Sequence, residues 1–138
     1  MRITAKADYA VRAAVELAAA EKTGEPVKGE YLARVQGIPK NFLENILTEL
    51  RRAGIVRTRR GAEGGYQLAR PADEISIAEV IRELEGPIAT VRGVRPDELE
   101  YDGAAAGLRA VWLELRTQIR GVLEQTTLAD IAAPARKA

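Results

Sequence analysis

The chain has no cysteine and no histidine among its 138 residues. Those two absences remove the disulfide, the thiolate nucleophile, the imidazole base and the usual ligands of zinc and iron-sulfur centres. Most enzyme mechanisms lose their parts with them. No paired-acid or Gly-rich phosphate-loop motif restores carboxylate or lysine chemistry, so no enzymatic activity is expected. Aromatic residues are scarce, 4% against a hydrophobic fraction of 46%, so the core must come from Ala, Leu, Ile and Val, which favours helices. Missing as well is any stretch near the roughly 20 apolar residues of a membrane span. The opening MRITAK leads into a charged amphipathic segment rather than a signal peptide. The expectation is a soluble, cytoplasmic protein with no membrane partner, built as one domain or as one small domain with an appendage.

What is present is unevenly spread. The formal net charge is +1, but residues 1–70 hold 13 Lys and Arg against 8 Asp and Glu, while residues 71–138 hold 8 against 12. A basic front half and an acidic back half imply one face for an anionic partner.

Thr4 is a candidate N-cap, followed by Ala10, Val11, Ala14, Leu17 and Ala18 at helical spacing, with Asp8, Arg12 and Glu16 laddered on another face. This first helix ends near Lys22. A short segment from Lys28 to Gln36 buries Leu32, Ala33 and Val35, and Gly37 breaks it as a tight helix-helix turn requires. Pro39 suits the first turn of a third helix, along which Phe42, Leu43, Ile46, Leu47 and Leu50 form an apolar stripe that Gly54 stops. The opposite face carries Lys40, Asn41, Glu44, Asn45, Thr48 and Arg52.

IVRTR and GYQLA follow as two period-two runs around a Gly-rich connection, the signature of a hairpin with Val56 and Thr58 on one face and Arg57 and Arg59 on the other. Ser76 caps a fourth helix whose Ile77, Val80, Ile81 and Leu84 are expected to cover the hairpin. Residues 87–103 read as a loop with an acidic knot, Asp97, Glu98, Glu100 and Asp102. A long helix from about Ala104 to Gln125 then carries a stripe of Leu108, Val111, Trp112, Leu115, Ile119, Val122 and Leu123, about 33 Å long. TLADI can fold back, and the tail ARKA is expected to fray.

Three helices and a hairpin with a basic loop form the order of a winged helix-turn-helix: mainly α with a small β-hairpin (α+β), with a long C-terminal dimerisation helix. Such a helix can read base edges in a major groove, and a loop bearing Arg59 and Arg60 and loosened by Gly61, Gly64 and Gly65 can reach a minor groove or phosphates. The plainer alternatives are a solvated hairpin whose charges guard a sheet edge, and a stripe that packs on its own domain. A stripe of that length after a complete small domain calls for a cover, and a second copy is the economical one. The partners expected are therefore double-stranded DNA and a second copy. A rival of another class is a winged-helix module that docks a partner protein, for which a neutral wing would have argued better.

The segments MRITAKADYAVRA, QGIPKNFLENILTELRRAGIVRTRRGAEGGYQLARP, EISIAEVIRELEGP and TLADI resemble the Rrf-two family of bacterial repressors. The resemblance covers nearly the whole chain and is densest in the first 87 residues. It implies a homodimer on a palindromic operator, with Asn41 and Glu44 at base-contacting positions, Arg60 as the wing arginine, and Thr4, Lys6 and Tyr9 near the DNA backbone. Lys40, Asn45, Thr48, Arg52, Arg57, Arg59, Gly61, Gly64, Gly65 and Tyr66 complete the expected DNA-binding set. Pro39 stands where the family often has a hydroxyl residue. Many members hold an iron-sulfur cluster by cysteines in the segment that is Thr90 to Ala106 here, and this chain has none. It looks like the cluster-free branch, with no cofactor and with regulation by a small-molecule effector, by a partner protein, or hardly at all. The division expected is 1–86 for DNA binding, 87–103 for sensing and 104–138 for dimerisation.

Overall fold

The helix that begins the fold, α1 (Ala5–Ala19), starts where the capping rule places it. Thr4 is extended, and its hydroxyl accepts the Ala7 N–H at 3.1 Å while donating to the Glu85 carboxylate. Ala7, Ala10, Ala13 and Ala14 are at most 1% exposed, so the other helices approach its backbone closely. Small side chains here do what aromatics do in other cores: they set the spacing. The structure, a computed structural model, describes residues 2–133.

Against α1 pack α2 (Gly29–Gln36) and α3 (Lys40–Arg52). Gly37, at φ +62°, makes the left-handed turn between them, and Ile38 plugs the angle at 3% exposure. Pro39 sits one place earlier than expected, at the N-cap, where its carbonyl accepts the Leu43 N–H at 3.0 Å and no side chain caps the helix. Leu43, Ile46, Leu47 and Leu50 are buried, but Phe42 is 54% exposed and Val35 on α2 is 46% exposed, so neither belongs to the core as the spacing suggested.

Strands β1 (Val56–Arg59) and β2 (Gly65–Leu68) form the antiparallel hairpin, pairing Val56 with Leu68, Arg57 with Gln67, Thr58 with Tyr66 and Arg59 with Gly65. Val27 adds a third edge: its N–H and carbonyl each bond Tyr66 at 2.8 Å. The hairpin is covered by α1 and α3, whereas α4 (Ile77–Glu85), capped by Ser76, packs on α1, α3 and α5. The expected cover of the hairpin by α4 is thus replaced by helices that precede it in sequence.

The connection after α4 includes a 3-10 turn at Pro96–Glu98. A second, at Gly103–Ala105, delays α5 to Leu108–Gln125, 18 residues and about 27 Å long rather than the longer helix expected. The chain then folds back. Thr127 and Asp130 form a reciprocal capping box that opens α6 (Leu128–Ala132), and Leu128 enters the core at 0% exposure while its N–H bonds the Ile75 carbonyl at 2.9 Å. α6 lies on α1, so the C-terminal segment closes the same core that the first helix opens. The tail ARKA lies outside the described residues. No helix among the described residues is long and apolar enough to cross a membrane.

Candidate nucleic-acid interface

The outer face of α3 follows from the burial of its inner one. With Leu43, Ile46, Leu47 and Leu50 turned inward, Lys40, Asn41, Glu44, Asn45, Thr48 and Arg52 must lie outward, and all six are exposed. Thr48 is partly engaged, donating to the Glu44 carbonyl at 2.9 Å. The other five side chains make no hydrogen bond or ion pair among the described residues, so their donors and acceptors face solvent. Lys40, Glu44 and Tyr66 line one hollow of about 250 Å³ with Gly29 and Glu30, which joins the start of α3 to the base of the hairpin.

In the hairpin, Arg57, Arg59, Arg60 and Gly61 are exposed. Arg57 and Arg59 line a separate hollow of about 410 Å³ against the end of α1 and the Gly24 turn, where Gln67 donates to the Gly24 carbonyl at 2.8 Å. The close approach that Gly64 and Gly65 permit is to the chain itself. A Cβ on Gly64 would lie 2.1 Å from the Arg59 carbonyl oxygen, and one on Gly65 would lie 2.5 Å from that of Val27. Gly61, at φ +102°, supplies the turn proper. Lys28 braces the tip, donating to the Ala62 carbonyl at 2.6 Å. Sequence reading missed that lysine, because its partner is 34 residues away with no periodic relation.

The three positions of the opening motif hold helices together. Thr4 is spent on the cap and on Glu85, Lys6 pairs with Glu49 of α3 at 2.9 Å, and Tyr9 meets Phe42 edge-on at 6.2 Å beneath the Arg12 guanidinium. Phe42, outside the core stripe, thus lies at the surface against an aromatic partner on α1.

The apolar positions of α5 divide into two lines. Val111, Leu115 and Val122 are 56%, 44% and 68% exposed. Ile119 and Leu123 pack on the core, and the Trp112 indole donates to the Tyr101 hydroxyl at 3.0 Å. Leu108, at the helix start, is half-buried. The single stripe read from the spacing is therefore a partly covered line beside an open one.

A helix-turn-helix with a polar third helix and a basic two-stranded wing defines a winged-helix DNA-binding regulator. The comparisons agree and sharpen it: a family model described as "Rrf2: Iron-dependent Transcriptional regulator" matches residues 3–134, and the chain belongs to that family. Rv1287 of Mycobacterium tuberculosis, named as a proposed HTH-type transcriptional regulator, is 54% identical over 135 residues, covering 98% of this chain and 83% of its own. The HTH-type transcriptional regulator CymR of Bacillus subtilis is 35% identical, covering 96% of this chain and 91% of its own. The solved structure of CymR, the global cysteine regulator of B. subtilis, superposes at a TM-score of 0.83 with 33% identity over 99% of both chains. The chain is a transcriptional regulator of the Rrf2 family with its winged-helix fold.

The family description names iron, and the donor set here does not fit it. There is no Cys or His, and no group of three or more Asp or Glu among the described residues could hold a metal ion.

Proposed function

We propose that the protein is a homodimeric repressor of a palindromic operator. Residues 1–86 place α3 in a major groove and the wing in the flanking minor groove, residues 87–103 form the sensing connection, and residues 104–138 form the dimer. The observation that carries this reading is the pairing of two free surfaces: the polar row of α3, unpartnered but for Thr48, and the unpaired Arg57, Arg59 and Arg60 of the wing. Arg60 at the tip is the wing contact and Asn41 and Glu44 the base readers. Lys40, Asn45, Arg52 and the other arginines supply phosphate contacts. The open line of Val111, Leu115 and Val122, extended by Leu108, is covered by the same line of a second copy, since an exposed apolar ridge of this length calls for a cover.

Selection of bound duplexes from a random pool, run with the purified chain at two salt concentrations, tests the reading. A palindromic motif whose affinity falls steeply as salt rises is the expected result, because each phosphate contact releases counterions. Weak, unselective binding at low salt would sink it.

A further inference from the structure

We propose that the cavity between the end of α4, the connection after it and α5 is a binding site for a small organic molecule with two anionic groups. Four arginines line this cavity of about 290 Å³: Arg82 from α4, Arg95 from the connection, and Arg116 and Arg120 from α5. A volume near the lower end of ligand pockets suits a metabolite of a few heavy atoms. Ile88, 8% exposed, and the buried Pro96 add an apolar wall for a short carbon body.

Like charges gathered at one hollow repel unless anions answer them. Here two carboxylates answer four cations. Asp97 lies 2.9 Å from Arg116 and 3.4 Å from Arg95, and Glu124 lies 3.0 Å from Arg82 and 3.3 Å from Arg120. The arginines thus form two pairs, each bridged by one acid and each left with one positive charge in excess. A guanidinium has five donors in a planar fork, and one shared carboxylate cannot occupy the donors of two. The recognition that remains is for two anionic groups, one for each pair, joined by a short apolar link: a dicarboxylate or a phosphorylated carboxylic acid. Arg116 is the most enclosed of the four, its side chain 18% exposed, so its fork is already held in place before a ligand arrives. Of the acidic knot only Asp97 meets these arginines; Glu98, Glu100 and Asp102 are exposed and do not line the cavity. The proposal depends on neither the operator nor the dimer.

Isothermal titration of the full chain with succinate and with phosphoglycolate, against acetate as the monoanion, is the test. The expected result is saturable binding of at least one of the two, and the preferred one identifies a second carboxylate or a phosphate as the distal group. Arg116→Gln and Arg82→Gln should each weaken that binding about tenfold, the loss of one charge-assisted contact. Arg34→Gln, equal in charge change but on α2, should leave it unchanged. Circular dichroism confirms folding, and Arg82→Gln, on a more exposed side chain, serves if Arg116→Gln does not fold. Failure of both succinate and phosphoglycolate to saturate at about 10 mM, or equal weakening by Arg34→Gln, would overturn the site.

Discussion

The arginines from α2 to the wing tip and most of those beyond it live in different surroundings. From α2 to the wing, Arg34, Arg51, Arg52, Arg57, Arg59 and Arg60 have no carboxylate within ion-pair distance among the described residues. Beyond the wing, Arg70 pairs with Glu79, Arg82 and Arg120 share Glu124, and Arg95 and Arg116 share Asp97. Exposed pairs of this kind contribute only about 0 to 1 kcal/mol each, so the second set is not there chiefly for stability. It fixes where guanidiniums point. The first set does the opposite: its forks are left to water, which screens their repulsion and is readily replaced by phosphate. One residue type thus serves as an open electrostatic surface in one region and as a built cluster in the other.

Both regions share one core, and the largest predicted effect tests that. Leu128→Ala removes a wholly buried side chain that ties the C-terminal turn to α1 and should cost about 2 to 5 kcal/mol in chemical denaturation. The whole unfolding transition should move as one. A variant whose winged-helix signals melt where they did before would split the molecule into independent parts. Next in size is the open set itself: Arg60→Ala should weaken operator binding by about 1 to 3 kcal/mol and lower the salt slope by roughly one contact. Arg82→Ala, from the paired set, should leave the slope alone, and a matched slope change in fluorescence anisotropy would erase the distinction.

Local order in the sequence accounts for most of the elements and for little of their partnership. Thr4, Ser76, Gly37 and Gly54 mark helix ends through chemistry confined to a turn, and the alternation of Val56, Arg57, Thr58 and Arg59 gives the hairpin its faces. The candidate row on α3 was readable for the same reason, since one buried face implies the other. Hidden were contacts with no period: Phe42 on Tyr9, Lys28 on the wing, and Thr127 bridged to Ser76 across the chain. The guanidinium cluster was hidden too, because a tally over residues 71–138 averages its four arginines into an acidic half.

Thr4 offers a smaller effect that sharpens the boundary between holding and binding. Its hydroxyl already accepts from Ala7 and donates to Glu85, so Thr4→Ala should cost about 1 kcal/mol of stability. Operator affinity per folded molecule should hold. A loss of affinity without a loss of stability would transfer Thr4 to the open surface.

The smallest effect lies within the paired set, at Asp97. The hydrogen bond from Arg116 holds its carboxyl below the ordinary 3.8, against an opposing desolvation, with a backbone hydrogen bond and the charges of Arg95 and Arg116 adding to the lowering. A carboxyl depressed in the folded state stabilises above its unfolded value and loses that contribution as pH falls through the folded one. The window is therefore below 3.8, and the exposure of the group keeps the effect small. Carboxyl NMR titration should place the Asp97 midpoint under 3.8 in the native chain and return it toward that value in Arg116→Gln, with the acid limb of the stability curve flattening in parallel. A native midpoint at or above 3.8 would mean that Arg116 does not hold Asp97 in solution. Arg116 would then be as free as the arginines of the wing.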